Sequence, residues 1–136
     1  RGILDSITSN PDYEITGIYL TGYASPEGSY AQNEVLSRDR TRALRDYLRC
    51  RYSFPANLYH VDWRGEDWIG LKRLILLYGM PNEEQVLSIM DNYNVFEGRE
   101  KRLMDLNNGK PYRYMMKHFF PELRRVDYKI TYKIIK

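Results

Sequence analysis

The stretch Gly22-Tyr23-Ala24-Ser25-Pro26-Glu27-Gly28 constrains the fold more than any other part of this chain. Residues 15–23 before it read as a strand, with Ile18 and Leu20 facing one way and Tyr19 and Thr21 the other. Both faces are apolar or β-favouring, which predicts a central strand covered by helices. In the loop, Pro26 fixes φ and Gly28 permits a positive φ. An amphipathic helix follows over 31–51. Its expected apolar stripe is Leu36, Ala43, Leu44, Tyr47 and Leu48, with Arg38, Arg42, Arg45 and Arg49 on the wetter side. Arg40 stands in line with the stripe, where a guanidinium must snorkel, pair or reach into a pocket. Glu27 and Asp39 are its expected partners if it pairs.

Strand end, loop and helix start together predict a small polar pocket. Ser25 supplies a hydroxyl, Glu27 a carboxylate, and Gly28 a backbone that a ligand can approach. Asn33 can cap the helix or hold the loop through its amide, and Ser37 can bond back to the backbone. With Arg40 these residues suit a small zwitterionic or carboxylate-bearing ligand.

The rest of the chain supplies the frame. Residues 2–9 read as a helix end, with Ile3, Leu4 and Ile7 on one face, stopped by Asn10-Pro11. A second strand is expected over 58–63, ended by Gly65. An apolar helix follows with Trp68, Leu71, Leu74, Ile75 and Tyr78, closed by Gly79. Asn82 and Gln85 have capping-box spacing ahead of Val86, Leu87, Met90 and Tyr93. Short helices are expected over 97–106 and 111–119. The last strand has the clearest period, Val126, Tyr128, Ile130, Tyr132 and Ile134 alternating with Asp127, Lys129, Thr131 and Lys133. One face should be buried and the other wet. The sum is an α+β two-layer sandwich, helices on one face of a small mixed sheet, with an extra helical insertion at about 80–120.

At 136 residues there is room for one domain with a real core, so 1–136 is read as a single domain. The opening Arg1-Gly2-Ile3-Leu4 reads as an internal cut in a longer protein, with a first strand expected just upstream. No apolar run reaches the ~20 residues a membrane span needs. A single cysteine excludes an internal disulfide and a multi-cysteine metal site, and Cys50 is expected to be a small buried hydrophobe. The net charge of +3 is mild, and the basic residues are diluted by acids, which argues against a nucleic-acid partner.

Gly22-x-x-Ser25-x-x-Gly28, Asn33, Leu36-Ser37-x-x-Arg40 and the helix ending in Tyr47-Leu48 resemble the core motif of the OmpA-like C-terminal domain family. Residues 58–65 resemble that family's next strand and glycine, and Arg124-Arg125-Val126 its closing arginine pair. The resemblance is good over 15–65 and weak over 123–135. It implies a domain that binds the peptide stem of diaminopimelate-type peptidoglycan without covalent attachment. In the family a loop aspartate and the helix arginine hold the two charged ends of diaminopimelate. The arginine matches Arg40, but the aspartate falls on Ser25, and Leu123 replaces the asparagine before the arginine pair. Glu27 is the nearest replacement for the missing carboxylate.

The expected site is therefore Ser25, Glu27, Gly28, Asn33, Ser37 and Arg40, with no metal and no cofactor. The expected setting, from the resemblance, is the periplasmic face of the outer membrane in a Gram-negative envelope. The alternative is an assembly module of an outer-membrane or surface-appendage protein with a decayed pocket. That reading expects Glu27 to pair with Arg40, other envelope proteins as partners, and an exposed patch around Tyr112, Tyr114, Met115 and Met116. Catalysis is not expected. His60 and His118 read as structural, and no activated nucleophile, metal-ligand spacing or phosphate loop appears.

Overall fold

A computed structural model describes residues 2–135. Three strands form one mixed sheet in the order β2-β1-β3. Central β1 (Tyr13–Ala24) runs parallel to β2 (Tyr59–Glu66) and antiparallel to β3 (Arg125–Ile134). Helices α1 (Gly2–Thr8) and α2 (Tyr30–Arg51) bring Leu4 and Leu48 against Ile15, Ile18 and Leu20 of β1. The opposite face of the sheet is polar and wet. There Tyr19 stacks on His60 at 4.5 Å, and the Thr16 hydroxyl donates to that of Thr131 at 2.9 Å. The α+β sandwich with helices on one sheet face is thus the observed architecture. The side chain of Ile3, expected beside Leu4 and Ile7, lies outside the described residues.

The buried side of α2 differs from its expected apolar stripe. Ser29 caps the helix by accepting from the Gln32 amide at 3.4 Å. The inward positions are Asn33, Ser37, Thr41 and Leu48, while Leu36, Ala43 and Tyr47 are exposed. The first half of the buried row is small and polar because the helix there lies almost on the strand backbone. A Cβ at Gly22 would sit 1.8 Å from Thr41 Oγ1 and 2.5 Å from the Ser37 carbonyl oxygen. Gly22 therefore serves close helix–strand contact as well as bounding the loop. Cys50 is exposed, not the buried hydrophobe its spacing suggested, because it sits on the outer side of α2.

Between β2 and β3 the chain builds a separate all-helical half. It holds α3 (Trp68–Tyr78), α4 (Glu83–Asn92), α5 (Arg99–Asp105), α6 (Lys110–His118) and α7 (Phe120–Leu123). Leu71, Ile75, Val86, Met90, Leu103, Met115 and Phe120 form its core. Tyr112 and Met115 lie in that core, so the patch expected around 112–116 is reduced to half-buried Tyr114 and exposed Met116. Asn82 does not close a capping box. Its φ is +57°, and its side-chain amide donates to the side-chain oxygen Oε1 of Gln85 instead of holding a backbone amide.

The helical half begins and ends at one ion pair. Asp67 caps α3 by accepting from the Gly70 amide at 2.9 Å, and its other oxygen takes Arg125 Nη1 at 2.6 Å. Asp67 is buried, so this pair is far less screened than a surface one. β3 keeps its alternation, but its inward side is only partly covered. Tyr128 and Tyr132 are 48% exposed and Ile134 is 68% exposed. The expectation of a buried face fails along these positions because α1 and α2 cover the β1 side of the sheet more fully than β3.

Candidate functional site

The seam between the two halves is polar, and the loop 25–28 lies on it. Glu27 Oε2 accepts from the Ser25 hydroxyl at 2.8 Å and from Arg124 Nη1 at 2.7 Å. Asn33, buried in the first turns of α2, donates to the Glu27 backbone carbonyl at 2.8 Å and to Glu66 Oε2 at 2.7 Å. Glu100 of α5 reaches across from the helical half. Its Oε2 accepts from the Gly28 amide at 2.9 Å and from the Tyr112 hydroxyl at 2.7 Å. Gly28 has φ +80°, so the loop needs a residue tolerant of that region here.

A pocket of about 210 Å³ opens beside the loop, lined by Ala24, Ser25, Glu27, Asn33, Leu36, Arg40 and Arg124. Arg40 projects from the exposed side of α2, and its Nη1 donates to the Tyr23 carbonyl at 3.2 Å. Among the described residues no carboxylate lies within ion-pair distance of Arg40; Asp39 pairs with Arg38 at 3.0 Å. The expected Glu27–Arg40 pair is replaced by Glu27–Arg124. Leu36 sits in the pocket wall, which accounts for its exposure on α2.

Of the six residues singled out by sequence, Ser25, Glu27, Asn33 and Arg40 meet in this pocket. Gly28 and Ser37 do not line it. The Gly28 amide is turned toward Glu100, and fully buried Ser37 donates to the Glu34 carbonyl at 2.9 Å and accepts from the Gly65 amide at 3.2 Å. Ser37 therefore ties α2 to the β2 end. Sequence reasoning left Arg124, Glu66 and Glu100 off the site. The closing Arg124-Arg125 pair was a usable signal for the first. Nothing local marks the other two.

The electrostatics behind the loop are set by burial. Glu66 is raised above the ordinary glutamate range, chiefly by desolvation; bonds from Asn33 and Trp68 act the other way, and nearby Glu100 adds to the rise. The Tyr112 phenol is pushed strongly upward by burial and by its bond to Glu100, so it stays a donor. At the mouth the balance differs. Two guanidiniums, Arg40 and Arg124, face one carboxylate, Glu27. The pocket is thus a recess with a net cationic lining, suited to holding an anionic group. A larger groove of about 440 Å³ on the sheet face is lined by Leu4, Ile18, Leu20, Leu44, Leu48, Val126 and Ile130 with two tyrosines, and the described residues bring no charged group to it.

Among the described residues no His, Cys, Asp and Glu cluster has the arrangement to hold a metal ion. His60 is exposed and stacked on Tyr19, and His118 lies against Tyr114 with ring centres 4.3 Å apart. No helix of the described residues is long and apolar enough to cross a membrane. No family model matches the chain. A stretch of 50 residues is 41% identical to Outer membrane protein 41 of Porphyromonas gingivalis, covering 37% of this chain and 13% of that protein. This partial similarity to an outer membrane protein fits an envelope-associated role for the chain.

Proposed function

We propose that this domain is a non-catalytic cell-envelope module that binds the peptide stem of peptidoglycan and anchors an outer-membrane protein to the cell wall. The observation that carries the reading is Arg40. Its guanidinium faces a small pocket with no acidic partner among the described residues, beside Glu27 on the loop whose motif resembles that of wall-binding domains. A cation held at a pocket rim without a counter-ion is a receptor for a ligand carboxylate. The proposed location is the periplasmic face of the outer membrane, and the partial similarity to an outer membrane protein supports an envelope setting.

The test is a titration of diaminopimelate-containing muropeptide into isotope-labelled protein, with Arg40→Ala as control. Saturable amide shifts at Ser25 to Gly28 and around Arg40, lost in the variant, are expected. Absence of shifts at millimolar peptide would overturn the reading.

A second reading, an assembly module that kept the fold, draws on a different surface. Ile69, Leu76 and Leu77 of α3 are each more than 60% exposed and lie on one side of the helix beside Lys72 and Arg73. Contiguous exposed apolar side chains of this kind suit a protein partner. Substituting Leu76 by Asp separates the readings: wall binding should be untouched, while retention of partner envelope proteins should fall.

A further inference from the structure

We infer that the pocket selects its ligand by the carboxylate and is nearly indifferent to the amine, so that it accepts stem peptides whose diaminopimelate amine is already acylated in a cross-link. The inference rests on the reading above and specifies its substrate class. Its basis is an asymmetry in how the pocket's charges are satisfied.

The cationic side of the pocket is unspent. Arg40 gives one long bond to a backbone carbonyl and has no acidic partner among the described residues. A carboxylate arriving there gains a charge-assisted bond and displaces nothing charged. The anionic side is already engaged. Glu27 Oε2 holds both Arg124 at 2.7 Å and the Ser25 hydroxyl at 2.8 Å. Glu27 Oε1 is left for an ammonium group, but the charge of the carboxylate is already shared with a guanidinium tethered to the same molecule, which weakens the attraction. Position 25, where the resemblance expects a carboxylate for that ammonium, carries a hydroxyl fully used as a donor to Glu27. The other nearby carboxylates face away from the mouth. Glu66 accepts from Asn33 and Trp68, and Glu100 from Gly28 and Tyr112; neither lines the pocket.

Neutralising the ligand amine therefore removes little, because an exposed and contested ion pair contributes little. Neutralising the carboxylate removes the interaction that Arg40 makes. The difference is sharp enough to measure with three probes: a diaminopimelate tripeptide with its side-chain amine free, the same peptide N-acetylated on that amine, and the same peptide with the adjacent carboxylate converted to a carboxamide. Acetylation should change affinity by no more than about twofold, as expected for an exposed contested pair. Amidation should weaken it about tenfold or more, the worth of one charge-assisted bond. Equal losses from the two modifications, or a larger loss on acetylation, would overturn the inference while leaving peptidoglycan binding intact.

Pimelate, a dicarboxylate with no amine, separates the two claims. Shifts around Arg40 with pimelate, abolished in Arg40→Ala, would support carboxylate selection even if no tripeptide bound, in which case the wall-binding reading would fail and with it the acceptance of cross-linked stems. A tripeptide that binds while pimelate leaves Arg40 undisturbed would count against carboxylate selection. The Glu27→Gln variant gives the converse check. It should bind the free-amine and acetylated peptides alike, and a selective loss of the free-amine peptide would overturn the inference.

Discussion

The sheet half and the helical half of this molecule keep themselves together in different ways. The helical half closes over a continuous core running from Leu71 to Phe120, with Ile75, Val86, Leu103 and Met115 essentially without solvent contact. The sheet half has a smaller core around Ile18 and Leu20 and leaves the inner side of β3 partly open. Neither core extends across the seam. The halves are joined there mainly by polar links, Asp67 with Arg125, Glu27 with Arg124 and Glu100 with Gly28, and by an edge-on ring contact of Tyr30 with Phe96. The comparison teaches why the candidate pocket lies where it does. Apolar interiors have no use for unpaired cations, whereas a polar seam between two cores can hold charged groups at fixed positions and still admit a ligand.

The largest test strikes the two cores. Phe120→Ala should cost about 3–5 kcal/mol, the usual range for truncating a fully buried aromatic, whereas Tyr128→Ala on the open side of β3 should cost about 1 kcal/mol or less. Denaturant unfolding measures both, and similar costs would erase the distinction between a closed and an open half. Next comes the hinge of the seam. Asp67→Ala removes the α3 cap and the partner of Arg125, for an expected loss of about 2 kcal/mol, roughly half from the cap and half from a partly exposed pair. Unfolding at high salt should recover little of it, since Asp67 is buried.

Glu100 tests whether the halves communicate. Glu100→Ala leaves the Gly28 amide and the Tyr112 hydroxyl without their acceptor and should cost about 1 kcal/mol. Both donors use a single oxygen, so Glu100→Gln can keep both bonds and should restore stability and the Gly28 amide shift. Failure of glutamine to restore them would mean that the charge, not the acceptor, holds the loop.

The smallest effect is a pH dependence with opposite signs at two carboxylates of the sheet half, Glu66 at the seam and Asp5 of α1. Glu66, raised by burial, favours folding below the ordinary glutamate value, and this contribution is lost as pH rises through its elevated folded value. Asp5 of α1 is lowered chiefly by the Tyr52 hydroxyl; desolvation opposes this, and Arg51 adds to the fall. Its contribution is present above the ordinary aspartate value and is lost as pH falls through its depressed folded value. Carboxyl NMR titration should place Glu66 above and Asp5 below their free values, and Glu100→Gln should bring Glu66 down. A Glu66 midpoint at the free value would remove the buried-carboxylate picture of the seam.

Much of this frame was legible from local pattern. The alternation of β3, the turn signals around 22–28 and the amphipathic run after them each follow from nearest-neighbour chemistry. The inward face of α2 was misread for a physical reason. Hydrophobic periodicity locates a buried face only when burial is apolar, and here Asn33, Ser37 and Thr41 are buried against the backbone at Gly22 and Gly65. The loop was legible as a polar site in outline, yet its charge balance was not. Glu27 meets a partner 97 residues along the chain and Gly28 one 72 residues along, and no local spacing rule reaches so far.

By itself, then, the sequence determined which segments are strand, loop and helix, and that Ser25, Glu27 and Arg40 would stand near a strand end and a helix start. Those are consequences of backbone preference and short-range spacing. Only the tertiary structure decided which charge neutralises which. Pairing depends on where β3 and α5 return in space, and that return leaves Glu27 engaged by Arg124 and Arg40 open to the pocket.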